Sequence, residues 1–163
     1  MLYTRVESPV GELLLSGDGE ALSGLWFHHD TRPWRIGRGW RRDDAAFAEV
    51  ARQLGEFWAR ERTGFDLELR MAGTPFEQAV WQKLREIPYG ATTSYGALAL
   101  SLGLTGHGAR AVGRANGRNP IAVIVPCHRV IGADGSLTGF GGGLERKRTL
   151  LELESPQAQL TLG

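Results

Sequence analysis

One cysteine stands in the chain, and a base and a cation follow it at once, in the run Val125-Pro126-Cys127-His128-Arg129-Val130. A thiol attacks only as its thiolate, and at an ordinary value near 8.5 only a few per cent is ionised at neutral pH. Complete ionisation by a neighbouring base would raise the nucleophile about thirtyfold, roughly 2 kcal/mol, which assists a displacement without accounting for one. Taken alone, a lone cysteine is more commonly a small buried hydrophobe. Its setting points elsewhere. Ile121 to Val125 is a β-branched run suited to a buried strand, and Pro126 breaks it, so the thiol is expected at the edge of the core on a stiffened backbone. Adjacent side chains on extended backbone face opposite ways, so His128 is expected to reach the sulfur through a bridging water.

A second constellation lies upstream. No acidic residue occurs between Glu86 and Asp134, while Arg110, Arg114, Arg118 and Arg129 fall in that span with His107 and His128. The formal net charge is only +1, so a polyanionic partner is argued from this one-signed stretch and not from the total. Arg110 and Arg114 are spaced to share one helix face. The plain reading is a solvated basic stripe; the sharper one is phosphate contact plus one side chain that enters a base stack. Their helix carries Gly108, Ala109, Ala111, Gly113 and Ala115 where a major-groove reader would carry base-reading side chains. Each interior glycine costs about 1 kcal/mol of helix propensity against alanine, reasonable where backbone must approach a narrow minor groove. The run Gly139-Phe140-Gly141-Gly142-Gly143 is either a connection or a loop that admits a flat ring against bare amides.

The elements that must position these residues follow from periodicity. Leu2 to Val6, Glu12 to Ser16 and Ala21 to Phe27 alternate and are parted by Pro9, Gly11 and Gly17 to Gly19, a small antiparallel meander. Thr31 to Arg42 fits neither period and is expected as a loop, and His28, His29, Trp34 and Trp40 as surface and partial core. Phe47, Val50, Leu54, Phe57 and Trp58 predict an amphipathic helix capped by Asp43 or Asp44 and stopped at Gly64, with Phe65 to Leu69 as a strand. Thr74-Pro75-Phe76-Glu77 has the capping-box pattern with proline at the first helical position, ahead of a stripe of Phe76, Val80, Leu84 and Ile87. A helix from the Ser94 cap to about Leu102, a turn at Gly103 to Gly106 and a helix from about His107 to Asn116 have helix-turn-helix spacing. A last helix runs from about Leu144 to Glu154.

Composition sets bounds. At 163 residues and 42% hydrophobic content the chain is expected to be a soluble globular protein, and its start lacks a secretory pattern, which places it in the cytoplasm. A single cysteine forms no internal disulfide, and with four histidines it gives no zinc-site spacing, so no metal and no cofactor are expected. No apolar stretch approaches the roughly 20 residues of a membrane span.

The quoted residues closely resemble the O6-alkylguanine-DNA alkyltransferases, also called methylated-DNA-protein-cysteine methyltransferases. The likeness runs through Gly73-Thr74-Pro75-Phe76, Val80-Trp81, Ile87-Pro88-Tyr89-Gly90, Ser94-Tyr95, Ala109-Arg110-Ala111-Val112-Gly113, Ala115-Asn116, Asn119-Pro120, Val125 to Val130 and Gly142-Gly143-Leu144. It covers nearly all of 73 to 154 and continues more loosely through Ser8-Pro9-Val10-Gly11. It implies that Cys127 is the alkyl acceptor and that His128 and Glu154 drain its proton through water. It also implies that Tyr95 donates to the guanine ring nitrogen, Arg110 fills the vacated base position and Asn119 joins recognition helix to active-site strand. Val130, Gly141 and Cys127 would line the base pocket with backbone, and Ala109 and Arg114 would lie against DNA. Zinc ligands found in some relatives' N-terminal domains are absent. The alkyltransferase-like proteins, which bind lesions without repairing them, have tryptophan in place of Cys127.

The resulting expectation is an α/β N-terminal domain, 1–72, with a small antiparallel sheet plus a helix, then a mostly α C-terminal domain, 73–155, with a winged-helix-like helix-turn-helix motif, and a flexible tail, 156–163. Its partner would be duplex DNA carrying O6-alkylguanine, bound by a monomer able to assemble cooperatively on DNA. Two other readings are a lesion-binding module that transfers nothing and, ranked well below, a cysteine hydrolase using Cys127, His128 and Glu154 as a triad.

Overall fold

Short apolar runs parted by turn residues produce the sheet, and the central run, Leu13–Gly17, is buried at every position where alternation was expected. In the computed structural model, which describes residues 1–29, 34–106, 108–137, 140 and 143–155, strands β1 (Leu2–Val6), β2 (Leu13–Gly17) and β3 (Leu22–Phe27) form an antiparallel meander. A short β4 (Arg41–Arg42) adds to the other side of β1 in parallel, giving the order β3-β2-β1-β4 and a mixed sheet. The stretch expected as loop therefore ends as strand: Arg41 N–H donates to the Met1 carbonyl, so the exposed edge of β1 captures it. Residues 30–33 lie outside the described residues. Leu13, Leu14, Leu15, Leu25, Leu54 and Phe57 are all buried, the core of a unit that spans Met1–Met71.

Two expectations in this unit need correction. Helix α1 (Ala48–Trp58), entered through a 3₁₀ turn at Ala45–Phe47 with Asp43 accepting from Ala46 N–H, ends well before Gly64. Arg60 takes φ 61°, its N–H bonds to Phe57 O, and Glu61 N–H reaches back to Glu56 O, a Schellman ending with arginine where glycine usually sits. The Phe65 to Leu69 strand is reduced to one parallel bridge, Leu22 to Leu69. Gln53 explains this, because its amide side chain takes the Asp66 carbonyl at 3.0 Å and the Asp66 N–H at 2.9 Å, groups a strand would have paired along a ladder.

The second unit spans Ala72–Gly163. Helix α2 (Pro75–Arg85) starts with the full reciprocal box: Glu77 N–H donates to Thr74 Oγ1 at 3.1 Å and Thr74 N–H to Glu77 Oε1 at 2.9 Å. Its buried stripe is Val80, Trp81 and Leu84; Phe76, expected there, is exposed, and the Trp81 indole donates to Ala115 O at 2.8 Å instead. After β5 (Thr93–Ser94), the Ser94 hydroxyl caps α3 (Tyr95–Ser101) by accepting from Ala97 N–H. Helix α4 (Gly108–Gly117) packs on α3 and α2, which completes the helix-turn-helix of a mostly helical unit. Strand β6 (Val130–Ile131) pairs in parallel with β5, and α5 (Leu144–Leu153) closes the described part.

The Ile121–Val125 run is buried as expected but is not a strand. Val125 N–H donates to Ile121 O at 3.0 Å, Ile124 N–H to Ala122 O at 2.8 Å, and Val123 takes φ 72°, so the segment is a tight turn. Apolar content reads burial correctly and backbone shape incorrectly, because the bonds that fold the turn come from Asn119 and from within the run. Among the described residues no helix is long and apolar enough to cross a membrane.

Candidate active site

Cys127 opens a 3₁₀ turn, Cys127–Arg129, that follows directly from the folded Ile121–Val125 segment. Asn119 shapes that segment from both ends: its Oδ1 accepts from Ile121 N–H at 3.0 Å and its Nδ2 donates to Val125 O at 2.8 Å. The Cys127 N–H donates to Val125 O at 2.8 Å, and the Cys127 carbonyl accepts from Asn116 Nδ2 at 3.3 Å. Cys127 is thus tied to the last turn of α4 by one asparagine and to the connecting loop by another. A helical turn, not extended backbone, sets the directions of Cys127 and His128, so the opposite-face argument made for a strand does not apply.

The thiol is 5% exposed, and burial pushes it up to about 11, against the pull of the Asn119 side chain and the positive charge of Lys147. At neutral pH that leaves on the order of one thiolate in ten thousand. His128, fully buried, sends Nε2 to Glu154 Oε2 at 2.8 Å. Burial pushes the imidazole down from its ordinary value, outweighing the support from Glu154, so the ring is neutral. Burial would push the Glu154 carboxyl up, but the hydrogen bonds and charges of His128 and Arg129 overcome it and hold it below its ordinary value. An ionised Glu154 assigns the His128 proton to Nε2 and leaves Nδ1 as the lone-pair atom. Among the described residues, the buried His128 Nδ1 and Asn116 Oδ1 have no hydrogen-bond partner.

Arg129 completes this buried network. Its Nε and Nη2 donate to the two Glu154 oxygens at 2.8 and 2.9 Å, its Nη1 donates to Ile87 O at 2.7 Å, and its guanidinium lies 5.7 Å from the Tyr89 ring centroid. The Tyr89 hydroxyl donates to Leu153 O at 3.2 Å, pinning the end of α5 where Glu154 sits.

Other expected residues separate into two faces. Tyr95, half-buried at the first position of α3, has its ring beside Gly113 of α4, where an added Cβ would lie 3.8 Å from Tyr95 Cδ1. Val130 is fully buried and pairs with Thr93. Arg110 and Arg114 are exposed on α4 with Ala109 half-buried between turns, and exposed Arg118 reaches Glu77 at 3.6 Å. Gly141, His107 and most of the glycine loop lie outside the described residues, as does the tail from 156.

Sequence reasoning passed over Lys147, Arg129 as the partner of Glu154, and Asn116. For Lys147 a signal existed: Lys147, Leu150 and Glu154 recur on one face of α5, and all three are buried. Within Leu144-Glu145-Arg146-Lys147-Arg148 that position reads as part of a solvated charged run.

Comparison with known proteins adds family and fold. Residues 75–156 match the family model "6-O-methylguanine DNA methyltransferase, DNA binding domain", and residues 1–71 match "6-O-methylguanine DNA methyltransferase, ribonuclease-like domain". A methylated-DNA–protein-cysteine methyltransferase of Mycobacterium leprae is 52% identical over 99% of this chain and 98% of its own length. One from Methanosarcina acetivorans is 47% identical over 94% and 98%. The crystal structure of Mycobacterium tuberculosis OGT in complex with DNA is similar over 100% of both chains, with TM-score 0.88 and 48% identity.

Proposed function

This chain belongs to the 6-O-methylguanine DNA methyltransferase family, and from that premise we propose that it repairs duplex DNA by moving the alkyl group of an O6-alkylguanine irreversibly onto Cys127, one group per molecule. The observation that carries this reading is a lone buried thiol in the same helical turn as a neutral histidine whose far nitrogen is bonded to an ionised glutamate.

The O6 atom faces the major groove, so a protein docked in the minor groove reaches it only by extruding the nucleotide. The exposed α4 face supplies Arg110 to occupy the gap and Arg114 for phosphate, while Ala109 and the small residues around it allow close approach. With the base held by Tyr95, Val130 and the backbone at Gly141, the sulfur gives its electron pair to the alkyl carbon as the carbon–O6 bond breaks. The electron pair of the breaking carbon–O6 bond passes into the guanine ring, whose nitrogen takes a proton from Tyr95. The thiol proton leaves through water to His128 Nδ1, and Glu154 stabilises the imidazolium. Because burial pushes the thiol to about 11, ionising it at pH 7 before attack would cost about 5 kcal/mol, so proton removal and attack go together. Protonation of the leaving base is worth about 100-fold to 10,000-fold. The product is a thioether with no carbonyl for water to attack, and turnover ends there.

The division at 72/73 leaves all of this chemistry in the second domain, acting from a cytoplasmic monomer that can assemble cooperatively on DNA. The test is intact mass after incubation with a duplex carrying one O6-methylguanine. One added methyl per molecule is expected; none, or transfer by a Cys127→Ala variant, would end the reading.

A further inference from the structure

Lys147 is fully buried although its neighbours Glu145 and Arg148 are exposed. Its Nζ lies 5.8 Å from the ring centroid of Tyr95 and 6.0 Å from that of Phe140, so two aromatic faces receive the ammonium. Burial pulls the ammonium below its ordinary value and Cys127 opposes that pull; in return, Lys147 opposes the upward push of burial on the thiol. The titratable groups that interact with it are Cys127 and His128 from the 3₁₀ turn and Tyr95 from α3, whose ring it faces. Glu154 is engaged by Arg129 and His128. The alkyl-acceptor chemistry assigns Lys147 no task, and a buried lysine is costly to keep for packing alone.

We propose that Lys147 is a positioning residue for the transfer step: its ammonium, set against the ring face of Tyr95 beside the Cys127 turn, stabilises the negative charge that forms on the sulfur and fixes the phenol for the departing base. This rests on the alkyl-transfer reading. Lys147 neither gives nor takes a proton. The carbon–sulfur bond forms as the carbon–O6 bond breaks, Tyr95 protonates the base, His128 receives the thiol proton, and solvent returns one proton to Tyr95.

The experiment compares Lys147→Met, Lys147→Arg and the parent, full-length and shown folded by melting curve, with Lys147→Gln replacing Lys147→Met should that variant not fold. Cys127 modification by iodoacetamide is followed from about pH 7 to 10, and single-turnover transfer is measured with an O6-methylguanine duplex. A buried unit charge acting on the thiol is expected to move the thiolate population about tenfold. The neutral variant then reacts about tenfold more slowly with iodoacetamide and at least tenfold more slowly with the duplex, while Lys147→Arg keeps most of both rates. Loss of a packing residue alone would open the site and leave the thiol equally or more reactive, and that result overturns the proposal, as does equal slowing in Lys147→Arg. Iodoacetamide needs no DNA. A slowed thiol with no transfer from the duplex in the parent would fault the alkyl-transfer reading and leave the hold of Lys147 on the thiol standing.

Discussion

Replacing Glu154 by glutamine separates what the buried network contributes to folding from what it contributes to chemistry. Glu154 accepts from Arg129 at 2.8 and 2.9 Å and from His128 at 2.8 Å, with all three side chains buried. Glutamine keeps the shape but removes the charge, and its NH₂ group faces at least one donor. Arg129 is then left buried with only the Ile87 carbonyl as an undisturbed partner. Removing one member of a buried ion pair costs about 3–5 kcal/mol, mostly because the other charge is stranded. The double variant Arg129→Met, Glu154→Gln has no stranded charge, so it is expected to regain at least half of that loss, about 2 kcal/mol relative to Glu154→Gln alone. Denaturant unfolding of the parent, both single variants and the double variant at pH 7 gives the cycle. Single-turnover transfer responds differently, since His128 lacks its carboxylate in both Glu154 variants and each should be slowed by on the order of 100-fold. A Glu154→Gln protein within about 1 kcal/mol of the parent, or a double variant that transfers at the parent rate, would refute the account.

Further outcomes follow from the thiol and from two glycines. Burial raises Cys127 from 9.0 to about 11, so the folded state favours the protonated form. Its stabilisation is complete below about pH 9 and is lost as pH rises through about 11, a loss of about 3 kcal/mol. A Cys127→Ala variant lacks this loss, so its unfolding free energy and that of the parent should diverge over that window; parallel curves would contradict the burial argument. A Cβ added at Gly113 would rest 3.8 Å from the Tyr95 ring, an ordinary contact, whereas one at Gly108 would meet Leu104 Cβ at 2.7 Å. Gly113→Ala should therefore hold or gain up to about 1 kcal/mol from helix propensity, and Gly108→Ala should lose about 1–3 kcal/mol from overpacking. Thermal melts that reversed this order would show the α3–α4 packing to be misread.

Elements fixed by local chemistry were legible in the sequence. The meander follows from short apolar runs between turn residues, and the α2 and α3 starts follow from Thr74, Glu77 and Ser94 acting on their own backbone amides. Elements decided by distant or conformationally atypical residues were not. Arg60 ends α1 in a left-handed conformation that glycine ordinarily announces, and Gln53 takes the hydrogen bonds of Asp66 from thirteen residues away. Within the site, Cys127 and His128 are visible as neighbours, and Glu154 entered only through the family likeness. Arg129 was visible as an adjacent cation, yet its grip on Glu154 spans 25 residues, and the burial of Lys147 depends on rings from α3 and from Phe140. Charge patterning records which residues are ionic, while packing decides which of them are removed from water.

Val123, four residues before the sulfur, holds a branched side chain at φ 72°, a region where such residues are crowded by their own backbone. An arrangement of that kind costs on the order of 1–3 kcal/mol and survives only because Asn119 and the surrounding apolar wall leave no easier path. The placement of Cys127 is therefore underwritten by Asn119 and by the apolar side chains packed around the loop. A change that merely relaxes this loop would make the protein easier to fold while letting the sulfur wander.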